Sequence, residues 1–112
     1  LSVMTRSRAI VMPSVCRETF GLVAYEAMIA AGLPCIVSDV GDAASFVRSK
    51  GLGEVFSAGN AESLSAAMVN MLDPDVYSRY RGAVEKADFS CLEKTAYVER
   101  LIGIYDQLMA KL

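Results

Sequence analysis

Residues 9–39 read AIVMPSVCRETFGLVAYEAMIAAGLPCIVSD, and this stretch decides the fold. It opens on a continuous apolar run, Ala9-Ile10-Val11-Met12, closed by Pro13. A short run that is apolar on both faces suits a strand buried in a parallel sheet, not a half-exposed antiparallel one. A polar loop over residues 14–19 follows. Residues 20–31 are rich in Ala, Met and Leu, which favour helix, and Gly32 stands where a glycine commonly ends one. Pro34-Cys35-Ile36-Val37-Ser38 then reads as a second buried strand. Strand, helix and strand in this order make a unit with a right-handed crossover, and predict an α/β fold.

The pattern continues outward. Upstream, residues 1–7 read as the tail of a helix. Downstream, residues 43–48 predict a short helix and Gly53-Glu54-Val55-Phe56 a weak third strand. Gly51-Leu52-Gly53 lacks the rest of a dinucleotide fingerprint and reads as the turn into that strand. The remainder is helical. Leu64, Ala67, Met68, Met71 and Leu72 follow one helical stripe, with Asn60 as N-cap. Asp73-Pro74 breaks and restarts the chain, and Val76, Tyr80, Ala83, Val84 and Ala87 form the next stripe. Ser90-Cys91-Leu92-Glu93 is a capping-box pattern. It opens a helix with Val98, Leu101, Ile102, Tyr105, Leu108, Met109 and Leu112 on one face.

Composition sets the outer bounds. The 112 residues are at most one domain. With 11 basic and 13 acidic side chains, a net charge of -2 and a pI near 5.0, nucleic acid is not an expected partner. The chain has no histidine, so Ser-His-Asp and Cys-His triads and His-containing zinc sites are excluded. Cys16, Cys35 and Cys91 are odd in number and widely spaced, as free thiols in a reducing compartment would be. Hydrophobic residues reach 54% and the mean hydropathy is +0.35, which is apolar for so small a domain. The longest charge-free stretch, residues 27–38, is too short to cross a bilayer and contains Gly32 and Pro34. An incomplete domain, normally packed against further parts of its own protein, accounts for the excess, and the chain starts on Leu1.

One residue stands out chemically. Glu26 is the only charged side chain between Thr19 and Ser38, among Gly21, Ala24, Ala27, Ala30 and Ala31. Buried, it would need a partner; otherwise its face of the helix reaches solvent. Glu18 lies in the loop just before the helix, and Glu26 about two turns inside it. A helix starting near Phe20 lets both carboxylates face one crevice above the strand ends, where doubly wound sheets bind ligands. Backbone N–H groups at Phe20, Gly21 and Leu22 would form an anion site at the helix start, and Gly21 would admit a close approach.

Pro13-Ser14, Glu18-Thr19-Phe20-Gly21-Leu22, Glu26-Ala27-Met28 and Ala31-Gly32-Leu33-Pro34 together resemble the signature of retaining GT-B glycosyltransferases of the group-one type. Its core is an E-x7-E pattern, met by Glu18 and Glu26. The spacing alone says little; set in its flanking motifs it is specific. Asp39-Val40-Gly41 resembles the turn after the next strand, and Phe89-Ser90 the start of the family's C-terminal helix, with Cys91 where tryptophan is usual.

The resemblance implies a fold: the second half of a Rossmann-like GT-B donor domain, with about three short parallel strands flanked by helices. Residues 1–56 would be the sheet portion and residues 57–112 the C-terminal helices. It implies an activity, retaining glycosyl transfer from a nucleotide-sugar to a sugar, lipid or polysaccharide acceptor, with no metal and no cofactor. Glu18 would be catalytic, meeting the transferred sugar. Glu26 would bind the donor's ribose hydroxyls, and Thr19, Phe20, Gly21 and Leu22 would line the donor through backbone amides. A two-carboxylate glycosidase mechanism is not implied. The enzyme would be cytoplasmic, free or at the inner face of a membrane.

The chain departs from the family at Gly41-Asp42-Ala43-Ala44-Ser45, where Gly-Gly-x-Pro-Glu is frequent: Ser45 stands at the glutamate position and the proline is absent. The basic residues that hold the diphosphate, three strands of the donor domain and the acceptor domain would lie upstream. The strand at residues 9–12 would then have an open, apolar edge, to be covered by that upstream part, by swapped helices or by a second copy. Two other functions compete. A sugar-nucleotide epimerase shares the architecture and would need acid/base residues in the missing half. A non-catalytic α/β module of receiver type would need clustered acids at strand ends, and residues 9–14 offer none.

Overall fold

The structure is a computed structural model that describes residues 2–16, 22–90 and 94–112. Among these, three short strands form one parallel sheet in the order β1 (Ile10–Met12), β2 (Cys35–Ser38), β3 (Gly53–Phe56). Ile10 pairs with Cys35, and Cys35 with Gly53, so β2 is central. The connections are α1 (Leu22–Ala31) and α2 (Asp42–Lys50); α3 (Ala61–Leu72), α4 (Pro74–Lys86) and α5 (Lys94–Ala110) follow.

Strand pleating sorts the side chains into two cores. Cys35 and Val37, with half-buried Ile10, Met12 and Val55, face α1 and α2 and meet Ala24, Met28, Ala43, Ala44 and Val47. Ile36 and Phe56 point the other way, to Ala67 and Met71 of α3 and to Tyr77 and Tyr80 of α4. Both crossover helices therefore lie on one face, as crossovers of one hand require when strand order follows chain order. All four residues of β2 are buried, which is why its sequence shows no polar alternation.

The local signals explain the helix ends. Gly32 adopts φ +66°, and the N–H of Leu33 reaches the carbonyl of Ala27 (3.1 Å), so the end of α1 is sealed in the left-handed form expected of it. Asn60 caps α3 by accepting from the Ser63 N–H (3.0 Å). Asp73 caps α4 by accepting from Asp75 and Val76, with Pro74 in the first turn. Glu54 ties the sheet to both helices: its carboxylate accepts from Asn70 Nδ2 (2.9 Å) and from the Tyr80 hydroxyl (3.0 Å). Burial, followed by this contact with Glu54, raises the Tyr80 pKa.

Three expectations are corrected. Among the described residues 2–7 there is a single 3-10 turn, Met4–Arg6, not a helix tail. The hydroxyls of Thr5 and Ser7 bond backward to the carbonyls of Ser2 and Val3, a local alternative to helix propagation. The second crossover helix is longer than residues 43–48 and is closed by Gly51. On α3 the inward line is Leu64, Ala67 and Met71, while Met68 and Leu72 are exposed. Arg8 ties the start of the sheet to the later helices: its guanidinium lies 3.8 Å from the centre of the Tyr77 ring and its Nε donates to the Met71 carbonyl (3.2 Å). Of the Ser90 capping box, Cys91, Leu92 and Glu93 lie outside the described residues.

Two features match the excess of apolar residues. Among the described residues nothing pairs with the outer edge of β1, where Val11 is 37% exposed. The long helix α5 leaves Tyr97, Val98, Ile102, Tyr105, Leu108 and Met109 exposed. No helix among the described residues is long and apolar enough to cross a membrane.

Candidate functional site

The carboxyl ends of β1 and β2 open into a cleft of about 270 Å³, its open mouth included, lined by Met12, Ser14, Val37, Ser38, Gly41, Asp42 and Ala43. Its position follows from the topology. Each strand of a parallel sheet ends at the same side, and the chain must leave there in a loop before returning as a helix. Such loops, at the carboxyl ends of the strands, are the side on which open α/β sheets take ligands. Met12 and Val37 form the apolar floor, and Ser14, Ser38 and Asp42 supply oxygen atoms around it. Ser38 is buried, held at the last position of β2. Gly41 precedes α2 and supplies no side-chain cap to it, and the Ala44 N–H donates to the Gly41 carbonyl (3.2 Å). Hydroxyls and a carboxylate around a small apolar floor suit a neutral, hydroxyl-rich ligand. None of the described lining residues is basic.

The loops around the cleft are tied together. The N–H of Asp39 donates to the Phe56 carbonyl (3.0 Å), and Asp39 Oδ1 accepts from the N–H of Ala58 (3.0 Å). The loop after β2 is thus fastened to the loop after β3.

Of the residues singled out from the sequence, Glu18, Thr19, Phe20 and Gly21 lie outside the described residues. Leu22 begins α1 as described and is exposed. Glu26 lies on the outward face of α1, opposite the buried Ala24, Ala27 and Met28, and is exposed. The carboxylate thus reaches solvent and needs no buried partner. Its surroundings on that face are apolar, with Leu22, Val23 and Ile29 also exposed. Glu26 is not among the described residues that line the cleft. Ser45, at the departure from the family pattern, is exposed on α2 and does not line it either.

The cleft residues Ser14, Ser38, Gly41 and Asp42 were not singled out. Each stands at, or within four residues beyond, the carboxyl end of a predicted strand, and Ser14 and Gly41 also belong to stretches that carry the family resemblance. The buried Cys35 does not fit a nucleophile. Burial beneath α1 pushes the Cys35 thiol up to about 12, and Cys16 is exposed in the loop after β1.

Residues 1–87 match the family described as glycosyl transferases group 1. The chain belongs to that family. This group 1 chain is also similar in structure to sucrose-phosphate synthase from Thermosynechococcus elongatus, with 30% sequence identity and a TM-score of 0.69. The likeness covers 98% of this chain and 27% of that one, so the group 1 chain spans about a quarter of the length of its structural relative. Its three parallel strands and flanking helices, through α5, are those of a Rossmann-like GT-B domain fragment. No curated protein matches the chain.

Proposed function

We propose that this chain is the second half of the donor-binding domain of a glycosyltransferase that moves a sugar, with retention, from a nucleotide-sugar to a sugar, lipid or polysaccharide acceptor. The observation that carries the reading is the cleft at the ends of β1 and β2 in a chain of this family. Residues 1–56 are the sheet portion that supplies its walls, and residues 57–112 are the C-terminal helices. The diphosphate is neutralised by basic groups upstream, in keeping with the absence of basic side chains among the described lining residues.

In this reading Glu26 accepts two hydrogen bonds from the ribose hydroxyls; an exposed carboxylate in apolar surroundings is well suited to such a bidentate contact. Glu18 contacts the transferred sugar, and the backbone amides of Thr19, Phe20, Gly21 and Leu22 approach sugar and phosphate. Catalysis consists of positioning and of stabilising the departing diphosphate, with no metal and no cofactor. The enzyme works in the cytoplasm, free or at the inner face of a membrane. The test is a panel of nucleotide-sugars given to the full-length protein, with release of the nucleoside diphosphate as the readout. One donor should be turned over in an acceptor-dependent manner with retained anomeric configuration. No turnover and no nucleotide binding across the panel would refute the reading.

A further inference from the structure

Asp39 stands between two residues of the cleft wall, Ser38 and Gly41, yet is not itself part of that wall among the described residues. Its N–H extends the pairing of β2 with β3 by one bond to Phe56, and its carboxylate reaches across to the N–H of Ala58, 19 positions away in the chain. Asp39 is exposed, so this second bond adds nothing to either core. What it does is hold the short loop from β2 to α2. That loop ends in Gly41, which is conformationally free and has no atom within 4 Å of where a Cβ would stand. Unfastened, the loop could swing and carry one wall of the cleft with it.

We propose that Asp39 is a positioning residue of the donor cleft: by accepting from Ala58, it fixes where Ser38 and Gly41 meet the ligand. This rests on the reading of the cleft as the donor site. It concerns hydrogen-bond acceptance and not charge, because the acceptor oxygen is already committed to a backbone N–H.

The test is steady-state kinetics of the full-length protein with varied donor, comparing wild type with Asp39→Ala, Asp39→Asn and Asp73→Ala. Asp73 caps α4 with one carboxylate oxygen, away from the cleft, and serves as the control for a lost exposed cap. Asp39→Ala should raise the donor KM about five- to tenfold, the size of one ordinary hydrogen bond, with kcat and acceptor KM within about twofold. Asp39→Asn keeps an accepting oxygen and should restore the donor KM. Asp73→Ala should lower the melting temperature without moving the donor KM. An unchanged donor KM in Asp39→Ala, an equal rise in Asp73→Ala, or failure of the asparagine to rescue would each overturn the positioning role while leaving the donor reading intact. A wild type that turns over no nucleotide-sugar would overturn both.

Discussion

Gly53 is the position where the packing leaves least room. It opens β3 directly opposite Cys35 in the central strand. A Cβ built on it would stand 2.7 Å from the Cys35 amide nitrogen and 2.8 Å from its carbonyl carbon, and would collide with the carbonyl oxygen. Ordinary contact begins at 3.4 Å, so both gaps would have to open. Cys35 has no freedom to retreat. It is fully buried, pairs with Ile10 on its other side, and donates its N–H to the Leu52 carbonyl (3.2 Å). Gly53→Ala therefore costs overpacking strain, typically about 1–3 kcal/mol, plus about 1 kcal/mol for a weakened buried backbone hydrogen bond. The expected loss is about 3 kcal/mol. The Cys35 thiol next to the clash reports it without denaturant, because it reacts only when this region opens. In the full-length protein, alkylation of the peptide carrying Cys35, followed by mass spectrometry, should accelerate roughly a hundredfold in Gly53→Ala. Gly82→Ala, inside α4 with nothing within 4 Å, should slow it slightly, since alanine favours helix over glycine by about 1 kcal/mol. Equal labelling rates for Gly53→Ala and wild type would refute the close-packing argument.

Two further predictions follow from buried and functional groups. The Cys35 thiol stays protonated in the folded chain up to about pH 12, while the unfolded thiol ionises near its ordinary value of 9.0. Above pH 9 the unfolded state holds fewer protons, so stability should fall by up to about 1.4 kcal/mol per pH unit toward pH 12. Urea titrations at stepped pH should show this slope, and Cys35→Ala should reduce it. In the proposed reading Glu18 meets the sugar, so Glu18→Gln should lower turnover more than it lowers affinity for the nucleoside diphosphate; kinetics and nucleotide titration on the same protein compare the two. An equal loss in both would contradict that role.

The sheet was legible because its signals are short-range and strong. Pro13, Gly32 and Pro34 bracket apolar runs of strand length, and burial on both faces of β2 removes the polar alternation that would have suggested another architecture. Caps were legible for the same reason: Asn60 and Asp73 act within three residues of themselves. What the sequence left undecided depends on distant partners. The stripe on α3 gave a period but not its angle to the sheet, and Met68 and Leu72 came out facing solvent. Arg8 found Tyr77 in α4, a contact no local pattern could announce. The cleft walls were hidden for a chemical reason. Ser14, Ser38 and Gly41 are small and unremarkable, and only the geometry of two strand ends brings them together. Glu26 was conspicuous for its charge among apolar neighbours, while its exposure depended on how α1 is rotated on the sheet.

The central claim is that this domain holds a nucleotide-sugar through the ribose contact of Glu26. Calorimetry on the full-length protein, comparing wild type with Glu26→Ala for the donor that is turned over, tests it most directly. Because the side chain is exposed, the substitution should leave the fold intact, with an unchanged melting temperature. Loss of a charge-assisted bidentate contact should weaken binding by about 1.5–3 kcal/mol, roughly ten- to 150-fold in Kd. The same donor bound with unchanged affinity by a folded Glu26→Ala protein would contradict the ribose role.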